Sequence, residues 1–252
     1  MIMRVALGRN GSRCALALLM IGMTGRVAFA GATRDIDGET WEVTELAHER
    51  FENDRWRERW KLEGNATLKV NEGRLAIVTS EQAGQEPAAT LWWAETLPFD
   101  VLIELTAGVD EPGENNAANL NLILHAREVD GPYRFGRSGR YPEYQAIPNY
   151  IVTLTGGFQE GWSRVRRNPG FVQLSEERST RSEVGRTYRI RLLLTGGRLR
   201  YWLDGRLIHD VRDPNPLAGG HFALRTWRSR TWWSDIFIAR VHQPSATHRA
   251  RE

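Results

Sequence analysis

Cysteine is almost absent from this sequence. The 252-residue chain has one, Cys14, and it lies within the first 30 residues. Those residues combine arginines with an apolar run over 14–23 and end in the triplet Ala-Phe-Ala at 28–30, a pattern typical of a secretory signal peptide. We expect cleavage after Ala30. A mature chain without a thiol excludes disulfides, thiolate metal sites and cysteine nucleophiles.

Long hydrophobic runs are absent too. The apolar run at the N-terminus has about half the length that spans a bilayer, and no later segment reaches that length, so we predict no membrane span. The first 30 residues carry four arginines and no acid, and their removal changes the formal net charge from +3 to −1 (3 − 4). That charge does not predict nucleic-acid binding. We expect a secreted or periplasmic bacterial protein.

Several catalytic and metal-binding signatures are missing. The sequence has no phosphate-binding glycine-rich loop, no His-Glu-x-x-His pair and no Gly-x-Ser-x-Gly elbow. It has no clustered aspartate loop for calcium, so we predict neither a metal nor another cofactor. The Glu-x-Asp-x-x-Glu strand motif of sandwich endoglucanases is also absent, which disfavours a retaining glycosidase.

Helical periodicity is absent after residue 60, and short alternating runs bounded by turn residues take its place. A hairpin is predicted over 66–78 around a glycine-containing loop, and a three-strand meander over 187–211. The sequence therefore predicts an all-β protein, a jelly-roll sandwich of two antiparallel sheets. We assign 31–49 to an N-terminal extension, 50–242 to one sandwich domain and 243–252 to a C-terminal tail.

Three predicted strands, over 101–106, 119–127 and 149–155, alternate apolar side chains with polar ones that carry little charge. We expect the polar side chains to share the outer face of one sheet, as in the concave sheet of a jelly roll that cradles a glycan. These side chains are Glu104, Asn119, Asn121, His125, Asn149 and Thr153.

Several segments resemble a known family. Residues 166–171 (Arg-Arg-Asn-Pro-Gly-Phe), 187–190 and 199–208 resemble the YesU-like family of bacterial proteins, and 51–60 with 72–75 resemble the related keto-disaccharide hydrolase-like domains. The resemblance covers roughly residues 50–241. It implies a concanavalin A-like sandwich, found among proteins that take up and degrade plant or algal polysaccharide, including pectic rhamnogalacturonan. Only three residues match a motif of the family: Arg167, Gly170 and Phe171 match its basic-x-x-Gly-Phe element.

The segment over 131–170 is the least strand-like and is rich in tyrosine, arginine and glycine. Long irregular loops in compact domains are usually functional, and aromatic rings with Arg, Asn and Gln suit the apolar face and the hydroxyls or carboxylate of a sugar. The alternative is that these side chains only pin the loop to the sheet. From this segment, the polar face and the Arg–Trp run at 225–233, the predicted substrate-binding residues are Glu104, Asn119, Asn121, Tyr133, Arg137, Gln145, Asn149, Trp162, Arg164, Arg225 and Trp227.

His125 is the only histidine that we predict inside a strand on the polar face. With Tyr141 or Tyr144 above it and Arg167 to neutralise a uronate carboxylate, it would abstract a proton in a β-elimination. The alternative is a hydrogen-bonded structural histidine. Hydrolysis needs two carboxylates about 5 to 10 Å apart. The candidates for that pair are Glu104, Glu143 and Asp235.

Two main classes of function remain open from the sequence, beside a weaker alternative, a structural or assembly protein that uses the aromatic surface against another protein. The first is a carbohydrate-active enzyme, a polysaccharide lyase or a glycoside hydrolase, with β-elimination slightly ahead because the loop is rich in Arg and Tyr. The second is a non-catalytic, lectin-like glycan-binding module. In both, the expected partner is a polysaccharide or an oligosaccharide.

Overall fold

A computed structural model describes residues 32–79, 86–112, 118–157 and 160–242. The predicted signal peptide over 1–30 and the predicted tail over 243–252 lie outside these residues. Neither helix in the described part of the chain is long and apolar enough to cross a membrane.

The described residues form sixteen strands and two short helices. In chain order they are β1 (Ala32–Ile36), β2 (Glu39–Glu49), α1 (Trp56–Arg59), β3 (Trp60–Gly64), β4 (Ala66–Asn71), β5 (Arg74–Thr79), β6 (Ala88–Trp93), β7 (Val101–Glu111), β8 (Ala118–Ala126), α2 (Tyr141–Gln145), β9 (Asn149–Gly156), β10 (Trp162–Asn168), β11 (Val172–Glu177), β12 (Thr187–Thr195), β13 (Arg198–Leu203), β14 (Arg206–Arg212), β15 (His221–Trp227) and β16 (Arg230–His242).

The strands form two antiparallel sheets, which confirms the predicted all-β sandwich. The nine-stranded sheet has the order β1-β2-β16-β7-β12-β13-β14, and the β4–β5 hairpin joins it through β5, which pairs with β16. The seven-stranded sheet has the order β11-β10-β9-β8-β15-β6-β3. The predicted hairpin is β4–β5, and the predicted meander is β12–β14.

The hydrophobic core lies between the two sheets. In the seven-stranded sheet, β8 contributes Leu120, Leu122 and Leu124 to it, and β15 contributes Phe222 and Leu224. Successive side chains of a strand point to opposite faces, so the residues between these lie on the outer face of the sheet. The apolar alternation of the sequence therefore determines which side chains the outer face presents.

The predicted N-terminal extension over 31–49 belongs to the sandwich. Strand β2 pairs with β16, and its Trp41 and Val43 pack with Phe237 in an apolar cluster on the outer face of the nine-stranded sheet. Alternating apolar residues of this kind need a sheet partner to bury them. The described sandwich therefore begins at Ala32, not at residue 50.

The predicted polar face is divided between the two sheets. Glu104 lies on β7 in the nine-stranded sheet, where its carboxylate accepts a hydrogen bond from Arg191 Nε at 2.6 Å. Asn119 and Asn121 lie on β8 in the seven-stranded sheet. Strands β7 and β8 are consecutive in sequence but belong to opposite sheets, so Glu104 does not share a face with the two asparagines.

Truncation of a core leucine should destabilise the sandwich. Leu192 is fully buried in the core, whereas Leu207 is 38% exposed. We expect Leu192→Ala to lower the free energy of unfolding by about 2 to 5 kcal/mol, because it removes buried apolar contacts and leaves a cavity. The control Leu207→Ala should change it by less than about 0.5 kcal/mol. Urea unfolding measures both, and equal effects would contradict the assigned core.

Candidate functional site

A row of polar side chains crosses the outer face of the seven-stranded sheet. Each member pairs in register with the next one on the neighbouring strand. Their neighbours along each strand contribute to the core, so the row lies on the outer face. From β3 to β11, this central row consists of Glu63, Thr90, Arg225, Asn121, Thr153, Arg164 and Glu176.

Two further rows flank the central row on the same face. One, the apolar row, runs through Trp92, Ala223, Ile123 and Ile151 and ends at Arg166. The other, the aromatic row, contains Trp227, Asn119, Thr155 and Trp162. In it, the Asn119 amide nitrogen donates to the Trp227 carbonyl at 3.4 Å, and Thr155 donates its hydroxyl to Asn119 Oδ1.

The segment between β8 and β9, residues 127–148, covers the apolar row, and we name it the tyrosine loop. Its Tyr133 ring lies 4.2 Å from the Trp92 ring, and Tyr144 and Ile147 join the same buried cluster. Of the adjacent tryptophans at 92 and 93, Trp93 belongs to the core and Trp92 is buried under this loop. The loop leaves the half-buried Thr153 and Arg164 of the central row accessible.

Glu63 holds the tyrosine loop to the sheet. Its Oε2 accepts hydrogen bonds from Trp92 Nε1 at 2.8 Å, the Tyr133 hydroxyl at 2.8 Å and the Tyr144 hydroxyl at 2.9 Å. Its Oε1 accepts from the backbone N–H groups of residues 136 and 137 at 2.7 and 3.0 Å. The side chain is buried. A buried carboxylate needs such partners, and these five connect the sheet to both halves of the loop.

The two tyrosines bound to Glu63 are held in the protonated form. Burial, followed by the negative charge of Glu63, raises the pKa of the Tyr133 and Tyr144 hydroxyls above the usual tyrosine range. Each hydroxyl also donates its proton to Glu63. Tyr144, predicted as a catalytic residue, is therefore engaged in holding the loop.

The loop backbone passes close to the sheet at Gly139. Its φ is +85°, and a Cβ atom there would lie 2.6 Å from the Cα of Gly64, so a larger residue would push the loop away. The Gly139 carbonyl oxygen lies 3.5 Å from Arg225 Nη2. Tyr141 follows in α2, and its ring centre lies 4.7 Å from the guanidinium carbon of Arg225. The loop thus brings an aromatic ring to the middle of the central row.

Arg225 and Arg164 differ in their partners. Arg164 pairs with Glu176 and stacks on Trp162, with 4.1 Å between its guanidinium carbon and the ring centre. Arg225 is 3% exposed, and its contacts within the described residues are the Gly139 carbonyl and the Tyr141 ring, with no carboxylate at ion-pairing distance. The charge of Arg225 is therefore the one that lacks an anionic partner in the described central row.

An exposed aromatic ring borders the site beside Tyr141. Phe171 lies in the turn between β10 and β11, is 42% exposed, and contacts Tyr141 edge-on with 6.3 Å between the ring centres. The Arg166 guanidinium carbon lies 4.0 Å from the Phe171 ring centre. The Gly-Phe element that carries the family resemblance thus contributes a ring to the same face.

His125 does not lie on this face. Two residues of β8, Leu124 and His125, stand opposite the single residue Phe222 of β15, which is a β-bulge, and His125 has φ +52°. The bulge directs the imidazole to the core side, where it contacts Phe99 and Tyr150. The predicted grouping of His125 with the tyrosine hydroxyls is not formed, because the bulge reverses the alternation on which the grouping rested.

Burial also changes the protonation of His125. It lowers the pKa to about 4, although the backbone carbonyls of Pro98 and Leu217 oppose the shift. The imidazole is therefore neutral at pH 7 and enclosed by the core. Within the described residues neither ring nitrogen has a partner in hydrogen-bonding geometry, so it also differs from the hydrogen-bonded structural histidine considered from the sequence.

Other predicted site residues serve the loop or the sandwich edge. Arg167 is not near the tyrosine loop hydroxyls, because its Nε donates to Asp213 Oδ2 at 2.8 Å beside the core. Arg137 donates to both carboxylate oxygens of Glu128 at 2.7 and 2.9 Å, within the loop. Asn149 donates to the carbonyls of residues 144 and 147 and so fixes the end of the loop. Gln145 ends α2 half-buried.

The carboxylates predicted for hydrolysis do not form a pair on this face. Glu104 and Asp235 lie on the neighbouring strands β7 and β16 of the nine-stranded sheet and line one pocket there, where His48 Nε2 lies 2.6 Å from Asp235 Oδ1. Glu143 lies on the tyrosine loop and accepts hydrogen bonds from the backbone N–H and the hydroxyl of Ser138, both at 2.9 Å. Within the described ranges, no three His, Cys, Asp or Glu side chains form a cluster able to hold a metal.

Sequence reasoning missed several residues of the site, chiefly Glu63, Thr90, Arg166 and Glu176. For Glu63 the sequence shows only an acid at a polar position of an alternating strand, which does not distinguish it from a solvent-exposed residue. The partners of Glu63 lie 29 to 81 positions away in sequence, and no local pattern indicates them.

The sequence matches one family model, the domain of unknown function DUF6250, over residues 84–236. No curated protein matches it. Whether the chain also belongs with the YesU-like proteins that it resembles stays a prediction.

Several solved structures are similar to this chain. A Bacillus subtilis protein of unknown function with a galectin-like fold has 18% identity and a TM-score of 0.66, with 80% of this chain and 100% of that chain covered. The winged bean acidic lectin complexed with methyl-α-D-galactose has 13% identity and a TM-score of 0.56, with 80% and 100% covered. Bacillus licheniformis β-glucanase has 9% identity and a TM-score of 0.53, with 77% and 97% covered. These likenesses confirm the predicted concanavalin A-like, jelly-roll class.

Removing the Glu63 charge should loosen the tyrosine loop. We expect Glu63→Gln to lower the free energy of unfolding by about 3 kcal/mol, because an amide brings two donors into a site that already supplies five. Hydrogen exchange at the amides of residues 136 and 137 should accelerate. The matched change Glu143→Gln, in a half-buried acid of the same loop, should have a smaller effect. Unchanged exchange in Glu63→Gln would contradict the anchoring role.

Acidification should destabilise the fold through two buried histidines. Burial lowers the pKa of both His125 and His209 to about 4, below the unfolded value of 6.5. The unfolded state therefore binds more protons between these values, and stability falls as the pH drops through that window. From pH 7 to pH 5 each histidine should contribute a loss of about 2 kcal/mol. Urea unfolding of His125→Gln should show a shallower pH dependence, and an unchanged slope would contradict the assignment.

Proposed function

We propose that this chain, which belongs to the DUF6250 family, is a glycan-binding protein that holds a sugar chain on the outer face of its seven-stranded sheet. The observation that carries the proposal is the central row of polar side chains bordered by the rings of Tyr141 and Phe171. A sugar presents hydroxyls around its edge and an apolar surface on its ring. The central row supplies hydrogen-bonding groups for the hydroxyls, and the bordering rings supply flat aromatic surfaces for the apolar side of the sugar ring.

The dimensions of the central row suit an oligosaccharide. From Arg225 to Arg164 the central row crosses four adjacent strands, a distance of about 14 Å at the usual spacing between strands. Asn121 and Thr153 lie between them and supply an amide and a hydroxyl. Because these groups stand on a paired sheet, their positions are set before a ligand arrives, which limits the entropy lost on binding.

Binding without cleavage is the function that the geometry supports best. A lyase needs a base on the ligand face, whereas the His125 ring lies on the core side and the Tyr144 hydroxyl donates to Glu63. On this face a hydrolase would need two facing carboxylates, whereas Glu63 is enclosed by five donors and Glu104 and Asp235 lie on the other sheet.

The structural neighbours are consistent with a carbohydrate ligand but do not separate the two classes of function. One is a lectin complexed with a galactoside and another is a β-glucanase. A shared fold supports many functions, so the residues of the site carry the argument. Secretion, proposed from the first 30 residues, would bring the protein to polysaccharides outside the cell.

Loss of the exposed ring at the site should weaken glycan binding. Phe171 and Phe99 are 42% and 36% exposed, but Phe99 packs beside His125, away from the ligand face. We expect Phe171→Ala to reduce the retention of the protein on an immobilised polysaccharide by about tenfold, and Phe99→Ala to leave it unchanged. Affinity electrophoresis across a panel of pectic, algal and neutral polysaccharides measures the retention.

The same panel should be examined for product formation. We expect neither unsaturated product, seen as absorbance near about 235 nm, nor new reducing ends, because the face presents no free base and no carboxylate pair. Product formation by the wild-type protein would replace the binding proposal with an enzymatic one. Equal retention of the two phenylalanine variants would remove this face as the binding site.

A further inference from the structure

Arg225 is unusual among the shielded arginines of the described chain. Arg137, Arg164 and Arg200 all lie at ion-pairing distance from a carboxylate. Arg225 is the most deeply buried of these cations, and it has only a long contact to the Gly139 carbonyl and the face of the Tyr141 ring.

Neither contact neutralises the charge of Arg225. A carbonyl oxygen at 3.5 Å and an aromatic face carry partial charges only, whereas burial removes most of the hydration of the guanidinium. Burial accordingly lowers the pKa of Arg225, and the negative charge of Glu86, which lies beyond ion-pairing distance, opposes this shift only in part. A buried charge without a paired carboxylate contributes little to stability. Residues that lower stability in this way are typical of binding and catalytic sites.

The neighbours of Arg225 leave one side for an anion. On β6 the next member of the central row is Thr90, which is covered by the tyrosine loop. On β8 the next member is Asn121, which is buried at 5% exposure, and it is followed by the half-buried Thr153 on β9. The row thus becomes more accessible from Arg225 toward β10, and an anion reaching Arg225 from there would pass over an amide and a hydroxyl.

We infer that Arg225 binds the carboxylate of an acidic sugar, so that the glycan held on this face contains uronate residues. The inference rests on the proposed function and names the class of its ligand. One or both carboxylate oxygens accept hydrogen bonds from the guanidinium, and the Asn121 amide donates to a neighbouring oxygen. The rest of the sugar lies along the row toward Arg164.

The test compares polymers that differ only in their carboxylates. The probes are polygalacturonate, polyglucuronate and alginate, each with its carboxyl-reduced counterpart, and isothermal titration calorimetry measures their binding to the protein. We expect at least one acidic polymer to bind at least about tenfold more tightly than its reduced form, since charge-assisted hydrogen bonds have that magnitude. This preference should decrease as salt is added.

The variant Arg225→Met should abolish the preference. Its affinity for the acidic polymer should fall to that of its reduced counterpart, so that the ratio of the two affinities becomes about one, whatever smaller change the variant makes to binding of the reduced polymer. Arg225→Lys, which keeps the charge but not the planar fork, should retain part of the preference. The matched control is Arg189→Met, which removes the same charge from an exposed site on the nine-stranded sheet and should leave the preference intact.

Thermal unfolding separates recognition from a structural role. A methionine of similar length removes a buried charge without a carboxylate partner, so Arg225→Met should unfold at the same temperature as the wild type or higher. A large loss of stability would show that the guanidinium serves the fold, and would overturn the inference.

The remaining outcomes separate the inference from the proposed function. If acidic and reduced polymers bind equally to the wild type, glycan binding stands and the inference fails. If Arg189→Met loses the preference as fully as Arg225→Met, the attraction is non-specific and the inference also fails. If the wild type binds no polymer of the panel, both the inference and the proposed function are contradicted.

Discussion

The buried carboxylate of Glu63 is the interaction on which the ligand face depends. It collects donors from Trp92 on the sheet, from two tyrosine hydroxyls and from the backbone at 136 and 137. Five donors from three parts of the chain meet at one side chain. Without it, the tyrosine loop would keep its apolar contacts with the sheet and the Asn149 hydrogen bonds at its end, but the segment between Tyr133 and Tyr144, which carries Tyr141, would lose its anchor.

The anchor has a second effect, on the chemistry of the face. It keeps the Tyr133 and Tyr144 hydroxyls protonated and turned toward the sheet, so these groups serve structure. Among the described residues, the groups that remain toward solvent are hydrogen-bonding side chains and rings, and the Glu176 carboxylate there is paired with Arg164 and Arg178. Under the loop, the polar groups around Glu63 thus satisfy one another by hydrogen bonds. At the edge of the loop, Arg225 has only a long hydrogen-bonding contact, to the Gly139 carbonyl.

Much of the fold could be predicted from the sequence because its signals are local. Alternation over 187–211 predicts the β12–β14 meander, and the glycine-containing turn predicts the β4–β5 hairpin. The assignment of strands to sheets could not be predicted in this way, because pairing between distant strands leaves no local pattern. Glu104 therefore was expected on the face of Asn121 and lies on the opposite sheet.

The candidate site could be predicted only in part. Asn121 and Thr153 were expected on one face and pair in register there, since strand alternation specifies direction wherever it is regular. Arg164 was assigned to an irregular loop and lies in β10, beside Thr153. His125 was misplaced because a single extra residue in β8 reverses the alternation at its end, and nothing in the composition marks that bulge. Glu63 was missed because its role is created by contacts across the fold.

Backbone amide chemical-shift mapping with an acidic oligosaccharide tests the central claim most directly, since it reports which of the two sheets carries the ligand. The account predicts that the largest changes lie on β15, β8, β9 and β10, around Arg225, Asn121 and Arg164, with smaller changes in the tyrosine loop. Changes centred on Glu104 and Arg191, on the outer face of the nine-stranded sheet, would contradict it.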